Sequence, residues 1–122
     1  MIKVKHFLDS VEEDDGQRLW VEPINVTRDL REMCKIDHVL AHLGPPMKLW
    51  QWYEEHPDAY DQFRADYHQA LSTGPYNEAL FQLASIAQRE TFTLLHQCDD
   101  AIHNSAMALY EYLSELEAYF KV

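Results

Sequence analysis

A small α/β domain, with helices packed against a sheet of about three strands, is what this sequence predicts. Three observations predict it. The run Thr91-Phe92-Thr93-Leu94-Leu95-His96 is β-branched and apolar, and it leads into Ala106, Leu109, Tyr110, Leu113, Leu116 and Phe120 at helical spacing. The first residues alternate, with Ile2, Val4 and His6 on one face and Lys3 and Lys5 on the other, as in a strand with one solvated side. Between these ends lie four helical stripes separated by glycine and proline.

Taken in order, the first strand gives way to an acidic stretch from Asp9 that ends in the turn signal Asp15-Gly16. Arg18 to Glu22 is the second strand, stopped by Pro23. Asn25 or Thr27 is placed to cap a helix whose face carries Leu30, Met33, Ile36, Val39, Leu40 and Leu43. Gly44-Pro45-Pro46 ends that helix. Met47 to His56 forms a short second helix with Leu49, Trp50 and Tyr53. Pro57 opens a third, marked by Tyr60, Phe63, Tyr67 and Leu71, which Gly74-Pro75 breaks. Ala79, Leu80, Leu83, Ile86 and Ala87 mark a fourth, and the Thr91 strand and the last helix complete a β-β-α-α-α-α-β-α order.

At 122 residues and 47% hydrophobic content, the chain fits one globular domain. No apolar run approaches the roughly 20 residues that span a bilayer. The amino terminus lacks the apolar segment of a secretory signal. Cys34 and Cys98 make no disulfide framework and fit reduced thiols in a cytoplasm. Ten Lys and Arg against 21 Asp and Glu give a net charge of −11, which repels nucleic acids and anionic lipid surfaces.

Several of these residues together carry a resemblance. Ile2-Lys3-Val4-Lys5, Lys35-Ile36-Asp37, Leu43-Gly44-Pro45-Pro46 and the Trp50/Trp52/Tyr53 segment resemble the YeaO-like proteins of domain of unknown function 488, a bacterial family of no established function. Tyr60, Phe63, Arg64 and Tyr67 continue the likeness, and Thr93-Leu94-Leu95, Asp100, His103-Asn104, Ala106 and Leu109 are its most specific part. The resemblance implies an Asp-Arg-Leu-Trp-Pro-Arg-Gly motif after the second strand. Glu22-Pro23-Ile24-Asn25-Val26-Thr27-Arg28 stands there instead. Glu22 keeps the carboxylate, Pro23 and Thr27 replace both arginines, and Arg28 is displaced by one step. If the family's arginines bind an anionic ligand by fork geometry, as the resemblance implies, this chain has lost that grip.

The strand–helix joint concentrates the candidate chemistry, because ligands of open α/β sheets sit at the carboxyl ends of strands. Asp99 or Asp100 is placed to cap the last helix, with His103 and Asn104 in its first turn. His103 is the candidate acid/base and Asp100 its catalytic partner; Asn104, Glu22 and His96 are candidate ligand-binding groups. Cys98 is followed by two aspartates and no arginine, an environment that disfavours a thiolate, so it reads as a packing residue. His38 and His42 stand four apart, a zinc-ligand spacing on a helix, but they lack the glutamate that gives such a motif specificity. No metal or other cofactor is implied. The aromatic series Trp50, Trp52, Tyr53, Tyr60, Phe63 and Tyr67 lies at helical spacing and reads as core, with Trp52 off the stripe. Glu12-Glu13-Asp14-Asp15 reads as a solvated loop.

Two functions fit. The first is a non-catalytic or vestigial member of the family that binds a small molecule or a protein, with self-association compatible. The second is an enzyme with His103 as acid/base. Convergence of Glu22, Asp100 and His103 on one cleft favours a ligand or enzyme site, whereas a buried His103 satisfied by backbone removes the enzyme.

Overall fold

The strand Phe92–His96 has no exposed residue, because it lies between two neighbours and under helices. The structure, a computed structural model, describes residues 1–121. Among them the sheet consists of β1 (Ile2–His6), β2 (Gln17–Trp20), β3 (His38–Val39) and β4 (Phe92–His96), all parallel, in the order β1-β4-β2-β3. The helices are α1 (Arg28–Met33), α2 (Met47–Glu55), α3 (Tyr60–Thr73), α4 (Asn77–Ile86) and α5 (Ser105–Glu117). This is a single small α/β domain with four strands, one more than the pattern predicts.

The extra strand comes from the stretch expected to continue the first helix to Leu43. Thr27 does cap α1, its hydroxyl accepting from the Leu30 amide at 3.2 Å. The helix then stops after Met33. Lys35 adopts a positive φ of 54°, and the Ile36 amide donates back to the Arg31 carbonyl, a closing turn of the kind that ends helices. Beyond it, the Asp37 and Leu40 amides donate to the Arg18 and Trp20 carbonyls, while the Asp37 carboxylate accepts from the Arg18 amide. Apolar residues at 36, 39 and 40 suit either period, and pairing with β2 decides between them.

The connections leave the two central strands on opposite faces. From β2 the chain crosses through α1, which lays Leu30, Cys34 and Ile36 over Trp20 and Leu95. From β4 it crosses through α5, which packs Leu109 and Leu113 against the face bearing Leu19 and Leu94. α2, α3 and α4 share that second face, where Tyr53 stacks on Phe63 at 4.2 Å and Tyr67 donates its hydroxyl to the Leu43 carbonyl. Each fully buried leucine of this layer stabilises the fold by about 2 kcal/mol. Trp52, expected off the core stripe, is half-buried and stacks on His56.

The opposite face of β1 is not solvated, and the acidic loop is not merely solvated either. Asp15 is buried beneath the sheet. Lys3, Thr93 and Arg18 form one row across β1, β4 and β2, and all three reach Asp15. Lys3 Nζ lies 3.1 Å and Arg18 Nη1 2.7 Å from its carboxylate, and the Thr93 hydroxyl donates to its carbonyl at 2.8 Å. Lys5 adds a contact at 3.1 Å, and the Glu12 amide donates to the same carboxylate at 3.2 Å. Gly16 makes this approach possible. Its φ is +64°, and a Cβ there would lie 1.7 Å from the Thr91 carbonyl oxygen.

Asp15→Asn leaves Arg18 buried and three cations without their common carboxylate, so denaturant unfolding should show a loss of about 3–5 kcal/mol. Asp14→Asn, at an exposed carboxylate paired only with Lys3, should leave the unfolding midpoint where it is in the parent. Burial by itself would raise the Asp15 pKa, yet its amide and cationic partners hold it down at about 2. Its contribution is therefore present above the ordinary value of 3.8 and is lost as pH falls through about 2.

Candidate functional site

Because α1 and α5 leave the sheet on opposite faces, a crevice opens where β2 and β4 end side by side. Such a switch point is where open α/β sheets bind ligands. A cavity of about 290 Å³ occupies it, lined by Glu22 beyond β2, Trp50, Tyr53 and Glu54 of α2, and the segment Gln97–Ser105 that joins β4 to α5, Ala101 and Ile102 excepted. A groove of about 370 Å³ lies at the amino-terminal ends of the strands, between β2, β3 and α4, but it holds no buried polar group lacking a partner.

Glu22 is the unusual member. It is only 2% exposed, and its Oε2 accepts from the Trp50 indole N–H at 3.1 Å. Its Oε1 has no partner in hydrogen-bonding geometry, although the Ser105 hydroxyl and the Gln97 backbone lie near the carboxylate. Burial pushes its pKa up, and the nearby Glu54 charge adds to this; the Ser105 hydroxyl, the Trp50 N–H and the Gln97 backbone pull in the other direction. A buried carboxylate with one bare oxygen costs stability unless a further group satisfies it.

The other wall is a folded loop. Asp100 does not cap α5. Its Oδ1 accepts from the Ile102 and His103 amides at 2.9 and 3.0 Å, which closes a turn before the helix and lowers the Asp100 pKa. The cap is Asn104, because the helix begins at Ser105 and not directly after Asp100. Its Oδ1 accepts from the Met107 amide at 2.8 Å and its Nδ2 donates to the Asp100 carbonyl at 2.9 Å. Asn104 is fully buried by these contacts.

His103 sits on the rim, half exposed, with Nδ1 3.1 Å from Asp100 Oδ2 and its ring beside that of Tyr60. It is not buried among backbone groups. Its carbonyl accepts from the Tyr53 hydroxyl at 3.1 Å. Burial first, then the Cys98 and Asp100 charges, push the Tyr53 hydroxyl up to about 12, so it is a donor and not a base. Burial likewise raises the Cys98 thiol, with Glu22, Asp100 and Asp99 adding to the effect. It is a poor nucleophile.

Glu22, Asp100, His103 and Asn104 therefore border one cavity, and His96 does not. His96 is buried in β4 and meets His6 edge-on at 5.6 Å, on a separate shallow groove. Burial, and then His6, lower its pKa to about 4, and its Nδ1 accepts from the Cys98 amide. It shapes the joint as a neutral ring. His38 and His42 share no helix. His38 lies in β3 bonded to the Gln17 side chain, and His42 lies in the turn Ala41–Leu43 against Tyr76. Trp50, Tyr53 and Glu54 are site residues that periodicity assigned to packing or left aside. Only the placement of α2 over the crevice distinguishes them.

Comparison with known proteins adds a family. A family model described as the inactive DUF488-N3 subclade, DUF488-N3i, matches residues 1–119. The chain belongs to that subclade. It is also similar to uncharacterised proteins of Mycobacterium bovis and of two strains of Mycobacterium tuberculosis, each 24% identical over 92 residues that cover 75% of this chain and 75% of the relative. No solved structure matches significantly. The structure also shows what became of the motif positions in this DUF488-N3i chain. Pro23 follows the buried carboxylate, Thr27 is the α1 cap, and Arg28 is exposed and paired with Glu32 at 3.2 Å, away from the cavity lining.

Two outcomes follow from this geometry. Glu22→Gln removes an ionisation that burial opposes. Because the folded pKa is raised, the penalty is absent below 4.5, sets in as pH rises past that value and is complete above the folded pKa. Thermal melts should thus show the variant gaining on the parent from pH 4 to pH 8. Asn104→Ala should cost roughly 1–2 kcal/mol through the lost cap, against less than about 0.5 kcal/mol for His103→Ala, both read from denaturant unfolding.

Proposed function

We propose that this chain is a non-catalytic cytoplasmic protein that binds a small molecule in the cavity at the ends of β2 and β4. The observation that carries the proposal is the buried Glu22 carboxylate, whose Oε1 is unpartnered in a cavity of about 290 Å³ at the switch point. A protein without a ligand there bears the cost of burying that oxygen, and a ligand that donates to it removes the cost. The inactive description of the subclade agrees with the local chemistry. Asp100 is committed to its turn, Asn104 to its cap, and Cys98 to the protonated state. Two free cysteines fit a reducing compartment. Among the described residues no helix is long and apolar enough to cross a membrane. With a net charge of −11, nucleic acid and anionic membranes are not among the partners we propose.

An enzymatic reading has one observation in its favour. The Asp100–His103 pair, at 3.1 Å, stands on the rim of the same cavity and would supply an oriented acid/base. A screen separates the two. Small fragments added to 15N-labelled protein should shift the Trp50 indole and the Gln97–Asn104 amides, and should be recovered unchanged. His103→Ala should keep their affinity within about threefold, which is less than 1 kcal/mol. Conversion of any bound fragment that disappears in His103→Ala would replace the binding reading with the enzyme.

A further inference from the structure

The chemical class of that ligand follows from the charges around the cavity, granted that the cavity is a ligand site. Four carboxylates line it, those of Glu22, Glu54, Asp99 and Asp100, and no lysine or arginine does. The amino terminus of α5 is already engaged by the Asn104 cap, and Ser105 interacts with Glu22. An anion entering here would meet four carboxylates and no lysine or arginine to offset them. A neutral donor would satisfy Oε1 but gain nothing from the surrounding field. A metal ion lacks its ligand set, since among the described residues no three His, Cys, Asp or Glu side chains converge on one point. Trp50 and Tyr53 complete the wall, and such rings favour a partly desolvated positive charge.

We propose that the cavity receives a small organic cation, with an amine or guanidinium head that donates a hydrogen bond to Glu22 Oε1 between Trp50 and Tyr53. The acidic rim formed by Glu54, Asp99 and Asp100 draws the cation in, and Glu22 provides its buried terminus. The carboxylate accepts a charge-assisted hydrogen bond without covalent change, so no co-reactant is required.

Three isosteric probes test this: benzylamine, benzyl alcohol and benzoate, titrated into 15N-labelled protein with the Trp50 indole resonance as the readout. Benzylamine should shift that resonance with a Kd on the order of 1 mM or tighter, at least about tenfold below that of benzyl alcohol, and benzoate should leave it in place. Glu22→Gln should weaken benzylamine by about tenfold or more, and Glu54→Gln by roughly two- to threefold, as expected for a buried and a rim carboxylate. Equal shifts from the alcohol or from benzoate, or benzylamine binding unchanged in Glu22→Gln, would overturn the cation while leaving a ligand cavity. If none of the three probes moves the Trp50 resonance, the ligand site itself is overturned. Should Glu22→Gln fail to fold, the ranking of the three probes on the unaltered chain decides for or against the cation by itself.

Discussion

Donors from three parallel strands, together with the Glu12 amide, converge on Asp15, and the register of the sheet depends on that convergence. Lys3 of β1, Thr93 of β4 and Arg18 of β2 stand in one row, so a slip of any strand by one residue would turn its donor to the opposite face. Arg18 extends the tie further. Its guanidinium also donates to the Cys34 carbonyl at 3.0 and 3.2 Å, which fixes the end of α1 over β2. A buried ion cluster of this kind carries a desolvation cost, and a packed apolar row of similar volume would be comparably stable. What the cluster adds is direction. An apolar row tolerates several registers, whereas Asp15 accepts only one.

That register sets the site. With β2 and β4 held side by side, Val21 still donates to Leu95 at the far end, and the chains then part, β2 toward α1 and β4 toward α5. Glu22 emerges at the point of separation and the Gln97–Ser105 loop faces it. The loop has few degrees of freedom left, because Asp100 closes its turn, Asn104 caps α5 and binds the Asp100 carbonyl, and Tyr53 holds the His103 carbonyl from α2. The polar residues that first suggest catalysis are thus largely occupied in shaping the wall. Among the described residues, the buried side-chain oxygen without a partner is Glu22 Oε1.

Much of the fold is legible in the sequence because its signals are local. The alternation of Ile2 to His6, the apolar Thr91 run and the helical stripes from Tyr60 onward each reflect which face is buried, and each element forms where the period places it. The stretch from Met33 to Leu43 is different. Its apolar residues satisfy two periods, and the choice is made by hydrogen bonds to β2, a partner about 20 residues away that no local window contains. Lys3, Lys5 and Asp15 mislead for a related reason. Charge is a sound sign of solvent only when the partners are far apart, and here they meet across the sheet. At the site, the joint itself and Glu22, Asp100, His103 and Asn104 can be read from the chain. Their roles cannot, since cap, turn former and ligand group are the same residue types, distinguished by where the helix begins.

The departure from the arginine-bearing motif gains its meaning from burial. Had Glu22 been exposed, loss of the following arginines would leave a solvated carboxylate of little consequence. Buried at 2% exposure, the same carboxylate has only neutral donors near it, the Trp50 indole, the Ser105 hydroxyl and the Gln97 backbone, and no lysine or arginine lines the cavity. The carboxylate, buried beside an aromatic wall and a fixed loop, bears a desolvation cost that the proposed cation would offset.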